Sequence, residues 1–337
     1  MSTLLRNMLK DQGWLLADGA TGTNLFAMGL EAGEAPELWN VDEPEKIINL
    51  YQGAVSAGSD LFLTNSFGGN RSRLALHDAD KNVYDLNARA AELGRKVADG
   101  VERRVLVAGS VGPTGELMGQ VGTLGHDDAK EMFSEQISGL KEGGADVIWI
   151  ETISAREEYR AAAEAASESG LPWTATMSFD TAGRTMMGVT SLDMVKLTEG
   201  EELQPNAYGA NCGVGASDLL RTILGMVEAG ASKPLISKGN AGIPKFVHGH
   251  IHYDGTPELM ADYARLAKRS GAKIIGGCCG TTPAHLRLMR DALEEAEDGL
   301  GIPTHEEITQ KLGEFSSASD GTDNTEQPVR SRRRKRR

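Results

Sequence analysis

Short apolar runs of strand length recur along the chain, and most are followed by a longer stretch whose apolar residues return at helical spacing. The runs are WLLADG (14–19), DLFLTNSF (60–67), RVLVAGSVG (104–112), DVIWIET (146–152), WTATMSF (173–179), AYGANCG (207–213), PLISKGN (234–240) and KIIGGCC (273–279). Between them lie segments such as EPEKIINLYQGAVSAG, NVYDLNARAAELGRKVADG, DDAKEMFSEQISGLKEGG, AREEYRAAAEAASESG, GASDLLRTILGMVEAG and TPELMADYARLAKRSG, each ending on the glycine expected just past a helix. Eight strand–helix repeats in about 290 residues predict an α/β protein, a (β/α)8 TIM barrel. The expected organisation is a barrel over residues 1–300 and a C-terminal extension over 301–337.

In such a barrel the catalytic groups stand at the C-terminal ends of the strands. The polar residues of the runs collect there: Asp18 and Gly19 after the first, Thr64, Asn65 and Ser66 after the second, Ser110 after the third, Glu151 and Thr152 after the fourth, Asn211 and Cys212 after the sixth, Lys238 and Asn240 after the seventh, Cys278 and Cys279 after the eighth. All three cysteines of the chain therefore fall on one rim. Three thiolates there suit zinc, because a sulfur-rich set selects a soft ion over magnesium or calcium, and three protein ligands leave a coordination position for substrate. A thiol substrate is the natural guest, since metal coordination deprotonates a thiol outright.

Composition narrows the class further. With 337 residues, 40% of them apolar, the chain can bury a large core. No apolar segment approaches the roughly 20 residues that span a bilayer, and the charged start MSTLLRNMLKDQGW lacks the apolar stretch of a signal peptide, which predicts a cytoplasmic protein without membrane contact. Three cysteines make a poor disulfide framework and suit a reducing compartment. The net charge is -13, and without the seven basic residues Arg330, Arg332, Arg333, Arg334, Lys335, Arg336 and Arg337 it becomes -20, which argues against nucleic acid as a partner of the body.

The segments LLADGATGTNL, LTNSF, GANC and GGCCGTTPAHL together resemble the zinc-dependent homocysteine S-methyltransferases, the group that includes betaine–homocysteine methyltransferase and the homocysteine-binding module of cobalamin-dependent methionine synthase. The resemblance covers roughly residues 12–298. It implies that Cys212, Cys278 and Cys279 bind Zn2+, that Glu151 receives the amino group of homocysteine, and that Asp18 and the backbone of Gly19 belong to the amino-acid pocket. Asn65, on the rim after the second run, joins the expected substrate-binding set. The implied reaction is methylation of homocysteine to methionine. The expected donor is betaine, with Trp39 in APELWN offering an aromatic face to its quaternary ammonium. The alternative is a stand-alone homocysteine module that takes its methyl group from methylcobalamin on a partner protein. A zinc- or aminothiol-binding protein without catalysis is the reading from another class, and selenocysteine or another short aminothiol is a rival acceptor. An oligomer is compatible with all of these.

Other motifs add less. The alternate histidines His248, His250 and His252 in HGHIHYDGTPE could face one way on a strand and bind metal, but their place between the seventh run and a helix predicts a loop. SVGPTGE lacks the spacing of a phosphate-binding loop, and DGATGTN lacks that of a dinucleotide fingerprint. From about Gly313 the chain is rich in Ser, Asp, Gly and Thr and is expected to be disordered, its basic end either solvated or docked on an acidic partner.

Overall fold

A computed structural model describes residues 3–119, 122–200, 203–247, 250–297 and 299–322, with the backbone alone for 245–252. Eight parallel strands form a nearly closed barrel surrounded by helices: β1 (Leu15–Leu16), β2 (Leu61–Leu63), β3 (Leu106–Val111), β4 (Val147–Ile153), β5 (Trp173–Met177), β6 (Ala207–Cys212), β7 (Leu235–Gly239) and β8 (Ala272–Gly277). Hydrogen-bonded neighbours run β1-β8-β7-β6-β5-β4-β3-β2, so the seam lies between β1 and β2. The expected (β/α)8 TIM barrel is the fold observed, with every apolar run supplying one strand.

The two faces of each strand divide the core. Leu15, Leu61, Leu63, Leu106, Ala108, Val147, Trp149, Ala207, Ile236 and Ile274 pack together inside the barrel, and Leu5 and Met8 of the N-terminal helix Thr3–Gln12 close its lower end. The alternate residues, such as Val107, Ile148, Ala175, Tyr208 and Ile275, join the larger core between sheet and helices. Helices Pro44–Ser56, Val83–Ala98, His126–Glu142, Arg156–Glu168, Ala216–Glu228 and Pro257–Arg269 occupy the predicted segments. Gly144 (φ 92°) and Gly271 (φ 98°) take the left-handed conformation just beyond two of them, where a side chain would be strained.

Aspartates bridge the seam in place of a regular ladder. The Asp60 N–H donates to the Leu16 carbonyl at 2.7 Å, and the Asp60 carboxylate accepts the Leu16 N–H at 2.8 Å. One level higher, Asp18 Oδ2 accepts the Leu63 N–H at 2.8 Å. Arg290 reaches both Asp60 oxygens, at 3.1 and 3.0 Å, and ties the seam to helix Pro283–Glu295.

Two expectations require correction. The segment after β7 is not a simple loop: residues Lys245–Val247 and His250–His252 pair as an antiparallel hairpin, and His248 lies outside the described residues. The extension is not disordered from Gly313. Helix His305–Leu312 buries Ile308 in the main core, and the chain beyond it packs as far as Thr322. Phe315 stands edge-on to His305 and under the guanidinium of Arg221, and Asp218 both pairs with Arg221 at 2.8 Å and accepts the Ser316 N–H at 3.0 Å. A polar composition concealed this segment because one aromatic ring and one buried ion pair anchor it. Residues 323–337, including the basic run, lie outside the described residues. Among the described residues no helix is long and apolar enough to cross a membrane.

Candidate metal and substrate site

The three cysteines meet above the barrel. Their sulfurs all lie within 4.8 Å of one another, and Cys212 Sγ is 3.9 Å from Cys279 Sγ, far beyond a disulfide bond. Zinc–sulfur bonds of about 2.3 Å in a tetrahedron place neighbouring sulfurs about 3.8 Å apart, so the spacing and the all-sulfur donor set fit zinc. Among the described residues this is the one group of three side chains that could hold a metal ion.

Local backbone geometry brings the sulfurs together. Cys212, at the end of β6, has φ 60°, and Gly213 follows at φ 70°, a reversal that turns the chain off the strand. A non-glycine residue in that region is strained, and such strain concentrates at functional sites. In the loop after β8, Cys278 N–H donates to the Gly239 carbonyl at 2.7 Å and Cys279 N–H to Asn240 Oδ1 at 3.1 Å. The glycines before them permit close layering: a Cβ on Gly277 would sit 2.4 Å from Thr281 Oγ1, and one on Gly19 would sit 2.7 Å from the same atom. The run GGCCGTT thus folds tightly onto β1, with Gly277 N–H donating to the Asp18 carbonyl at 2.9 Å.

Burial and mutual contact split the three thiols. Hydrogen bonds from Cys212 and Cys278 hold Cys279 well below the ordinary thiol range, with Tyr253 adding a further donor. Cys212 is pushed up because it donates to Cys278 and Cys279 beside their charge. Cys278 also ends up raised: Cys212 lowers it, but its contact with Cys279 and its burial outweigh that. Protein alone therefore holds the three thiols unequally, Cys279 being the readiest to ionise, and a bound cation would favour the ionised form of all three.

Beside the sulfurs lies a carboxylate pocket. Glu151 stands where β4 loses register with β5 between Ile150 and Ile153, and the next residue, Thr152, has φ 61°. An irregularity of this kind re-aims a side chain next to a site. Ser110 Oγ of β3 donates to Glu151 Oε1. Burial pushes Glu151 up to about 7, although Lys238 and Ser110 pull the other way. Asp18 is raised as well, by burial above all, against the opposing charge of Lys238. Lys238 Nζ lies 2.6 Å from Asp18 Oδ1; burial opposes its charge, but Asp18 and Glu151 outweigh that and hold it above its ordinary value.

Other expected site residues are placed differently. Trp39 is buried against the core, with Lys46 Nζ 4.1 Å from its ring centre, so the protein's own ammonium already covers an aromatic face expected to attract a donor cation. The Asn65 amide donates to the Pro36 carbonyl at 2.7 Å and to Asn40 Oδ1 at 3.1 Å, binding the β2 end to the loop that carries Trp39. Residues given no individual role in the sequence prove central. Asn211 Nδ2 donates to Thr152 Oγ1 at 2.8 Å and lies 3.9 Å from Cys278 Sγ, while its Oδ1 accepts the Thr152 N–H at 3.0 Å. Lys238, Asn211 and Asn240 were visible only as polar residues at strand ends, a signal that gives position without partners.

Residues 15–293 match the family model described as homocysteine S-methyltransferase. The structure superposes on the metallated form of the homocysteine methyltransferase MmuM from Escherichia coli with a TM-score of 0.70 and 26% identity, covering 85% of this chain and 99% of that one. The apo form of the same protein gives 0.66 at 25% identity, covering 86% and 99%. In sequence the chain is 30% identical over 298 residues to the methionine synthase of Mycobacterium tuberculosis and 29% identical over 304 residues to that of Mycobacterium leprae, covering 83% and 85% of this chain. It spans about a quarter of the length of these methionine synthases, 24% and 25%. With nearly the whole barrel matched, and with the cysteines and Glu151 inside the matched region, the chain belongs to the homocysteine S-methyltransferase family.

Proposed function

We propose that this protein methylates the sulfur of homocysteine to give methionine, with Zn2+ held by Cys212, Cys278 and Cys279. The observation that carries the reading is the convergence of three sulfurs within 4.8 Å on the barrel rim, beside a pocket lined by carboxylates. A zinc ion there supplies one thing, a substrate thiol kept ionised at neutral pH, where a free thiol of pKa about 8.5 is only a few per cent ionised.

The chain's own residues supply the rest. Glu151 receives the α-ammonium of homocysteine, and Ser110 holds Oε1 in place so that the carboxylate faces the ligand. Asp18 and the Gly19 backbone shape the amino-acid pocket, with backbone and hydroxyl donors for the substrate carboxylate. Asn211 restrains Cys278 and Thr152 together, which fixes the sulfurs relative to Glu151. Asn65 acts on the pocket through the loop it braces and not by direct contact.

For the donor we propose a small onium compound, betaine first, whose carbon–nitrogen electron pair leaves with the nitrogen as dimethylglycine when sulfur takes the methyl group. Support comes from the extent of the Escherichia coli homocysteine methyltransferase, which this single barrel covers almost completely. Trp39 gives no such support, being covered by Lys46. The second reading, a homocysteine module served by methylcobalamin on a partner protein, is favoured by the match to methionine synthases of which the chain spans a quarter. We place the protein in the cytoplasm, where three free thiols persist.

The test compares wild type with Cys279→Ala for bound zinc and for methionine formed from homocysteine. Wild type should hold about one zinc and turn over, whereas the variant should lose both and keep its barrel, because the core lies below the rim. Zinc and homocysteine binding without turnover under betaine, S-methylmethionine and methylcobalamin alike would instead establish a non-catalytic binding protein. Full activity in metal-free Cys279→Ala would end the proposal.

A further inference from the structure

We propose that Lys238 is a positioning residue that decides which carboxylate of the mouth receives the substrate's ammonium group, and so which thiols the site accepts. The proposal rests on the homocysteine reading above and deepens it. On β7, Ile236 faces the barrel interior while Ser237 faces outward to share a hydrogen bond with Tyr263, and the alternation returns Lys238 to the interior. There Nζ meets Asp18 Oδ1 at 2.6 Å, with the two side chains only 3% and 9% exposed. It also stands 5.6 Å from the centre of the Trp149 ring, with Glu151 and Cys278 near enough for their charges to act on it.

The two carboxylates of the mouth are therefore not equivalent. Both Asp18 oxygens already accept from the protein, Oδ1 from Lys238 and Oδ2 from the Leu63 N–H. Glu151 accepts from Ser110 at Oε1, and among the described residues no protein group donates to Oε2. Lys238 offsets the charge of Asp18, whose other oxygen is engaged across the β1–β2 seam by Leu63, which leaves Glu151 as the carboxylate open to a cationic ligand. The site thus selects thiols that carry an α-ammonium, such as homocysteine, over the desamino analogue 4-mercaptobutanoate, and it does so because Lys238 withdraws Asp18 from competition.

The experiment uses the zinc-loaded protein and reads KM and kcat for homocysteine, calorimetric affinity for homocysteine and 4-mercaptobutanoate, and zinc content. In Lys238→Met, Asp18 loses its partner and draws the ammonium away from Glu151. KM should rise about tenfold with kcat changed less than about threefold, and zinc content should stay at the wild-type level. The double variant Asp18→Asn/Lys238→Met removes the competing carboxylate together with its partner and should lower KM at least about threefold relative to Lys238→Met. A purely structural role would lower thermal stability without this split and without the rescue. A wild-type KM in Lys238→Met, or a double variant as impaired as the single one, overturns the proposal. If wild type forms no methionine but binds homocysteine, the calorimetric affinities decide the role of Lys238 independently of turnover. A wild type that binds neither thiol overturns both readings.

Discussion

In the proposed role Glu151 receives an ammonium group, which a carboxylate does only when ionised, and Glu151 is held where ionisation falls near neutrality. Burial raises it to about 7, against the pull of Lys238 and the Ser110 hydroxyl. For a carboxylate raised in this way the charged form grows in as pH climbs through the raised value, so binding of the ammonium should strengthen from pH 6 to pH 8. Glu151→Gln, nearly isosteric but unable to ionise, should remove that slope while keeping bound zinc. A calorimetric titration of homocysteine across the range checks it, and an unchanged slope in Glu151→Gln would show that another group titrates. The two strained residues, Thr152 and Cys212, belong to the same economy of position: each turns its strand sharply at the rim, and Asn211 bonds across from one strand end to the other.

At the level of elements, the barrel is held where its ladder is thinnest. Asp60 and Asp18 supply side-chain oxygens at the β1–β2 seam, the first anchored by Arg290 and the second by Lys238. The C-terminal segment works similarly on the outside, where Phe315 and the Arg221–Asp218 pair fix residues 313–322 against helix Ala216–Glu228. Removing the half-buried ring in Phe315→Ala should cost about 2 kcal/mol, seen as a fall of roughly 4 °C in the midpoint of a calorimetric melt. An unchanged midpoint would mean that the segment is not packed in solution. This segment also marks where sequence reading stopped. The eight strands and six of the helices were legible because each depends on a local apolar period, and the cysteines because strand ends of a barrel share one rim. The Lys238–Asp18 pair joins residues 220 positions apart, and the anchoring of Phe315 by Arg221 and His305 likewise depends on partners brought together only by the fold. The surroundings of Trp39 are hidden from the sequence for the same reason, since Lys46 reaches its ring from the following helix.

Across the whole molecule, a closed apolar interior supports a polar mouth whose charges are sorted into three jobs. On the proposed reading the cysteines gather a cation, Lys238 and Asp18 neutralise one another, and Glu151 is left for the substrate. The arrangement fits the proposed acceptor site within one barrel, in a chain that belongs to the homocysteine S-methyltransferase family. The most direct test is methionine formation by the purified, zinc-loaded protein supplied with homocysteine and betaine alone. On the proposed reading methionine and dimethylglycine form in equal amounts, both abolished by removing zinc and restored by returning it. Methionine formed at an undiminished rate by the zinc-free protein, or no methionine with betaine, S-methylmethionine or methylcobalamin as donor, would contradict it.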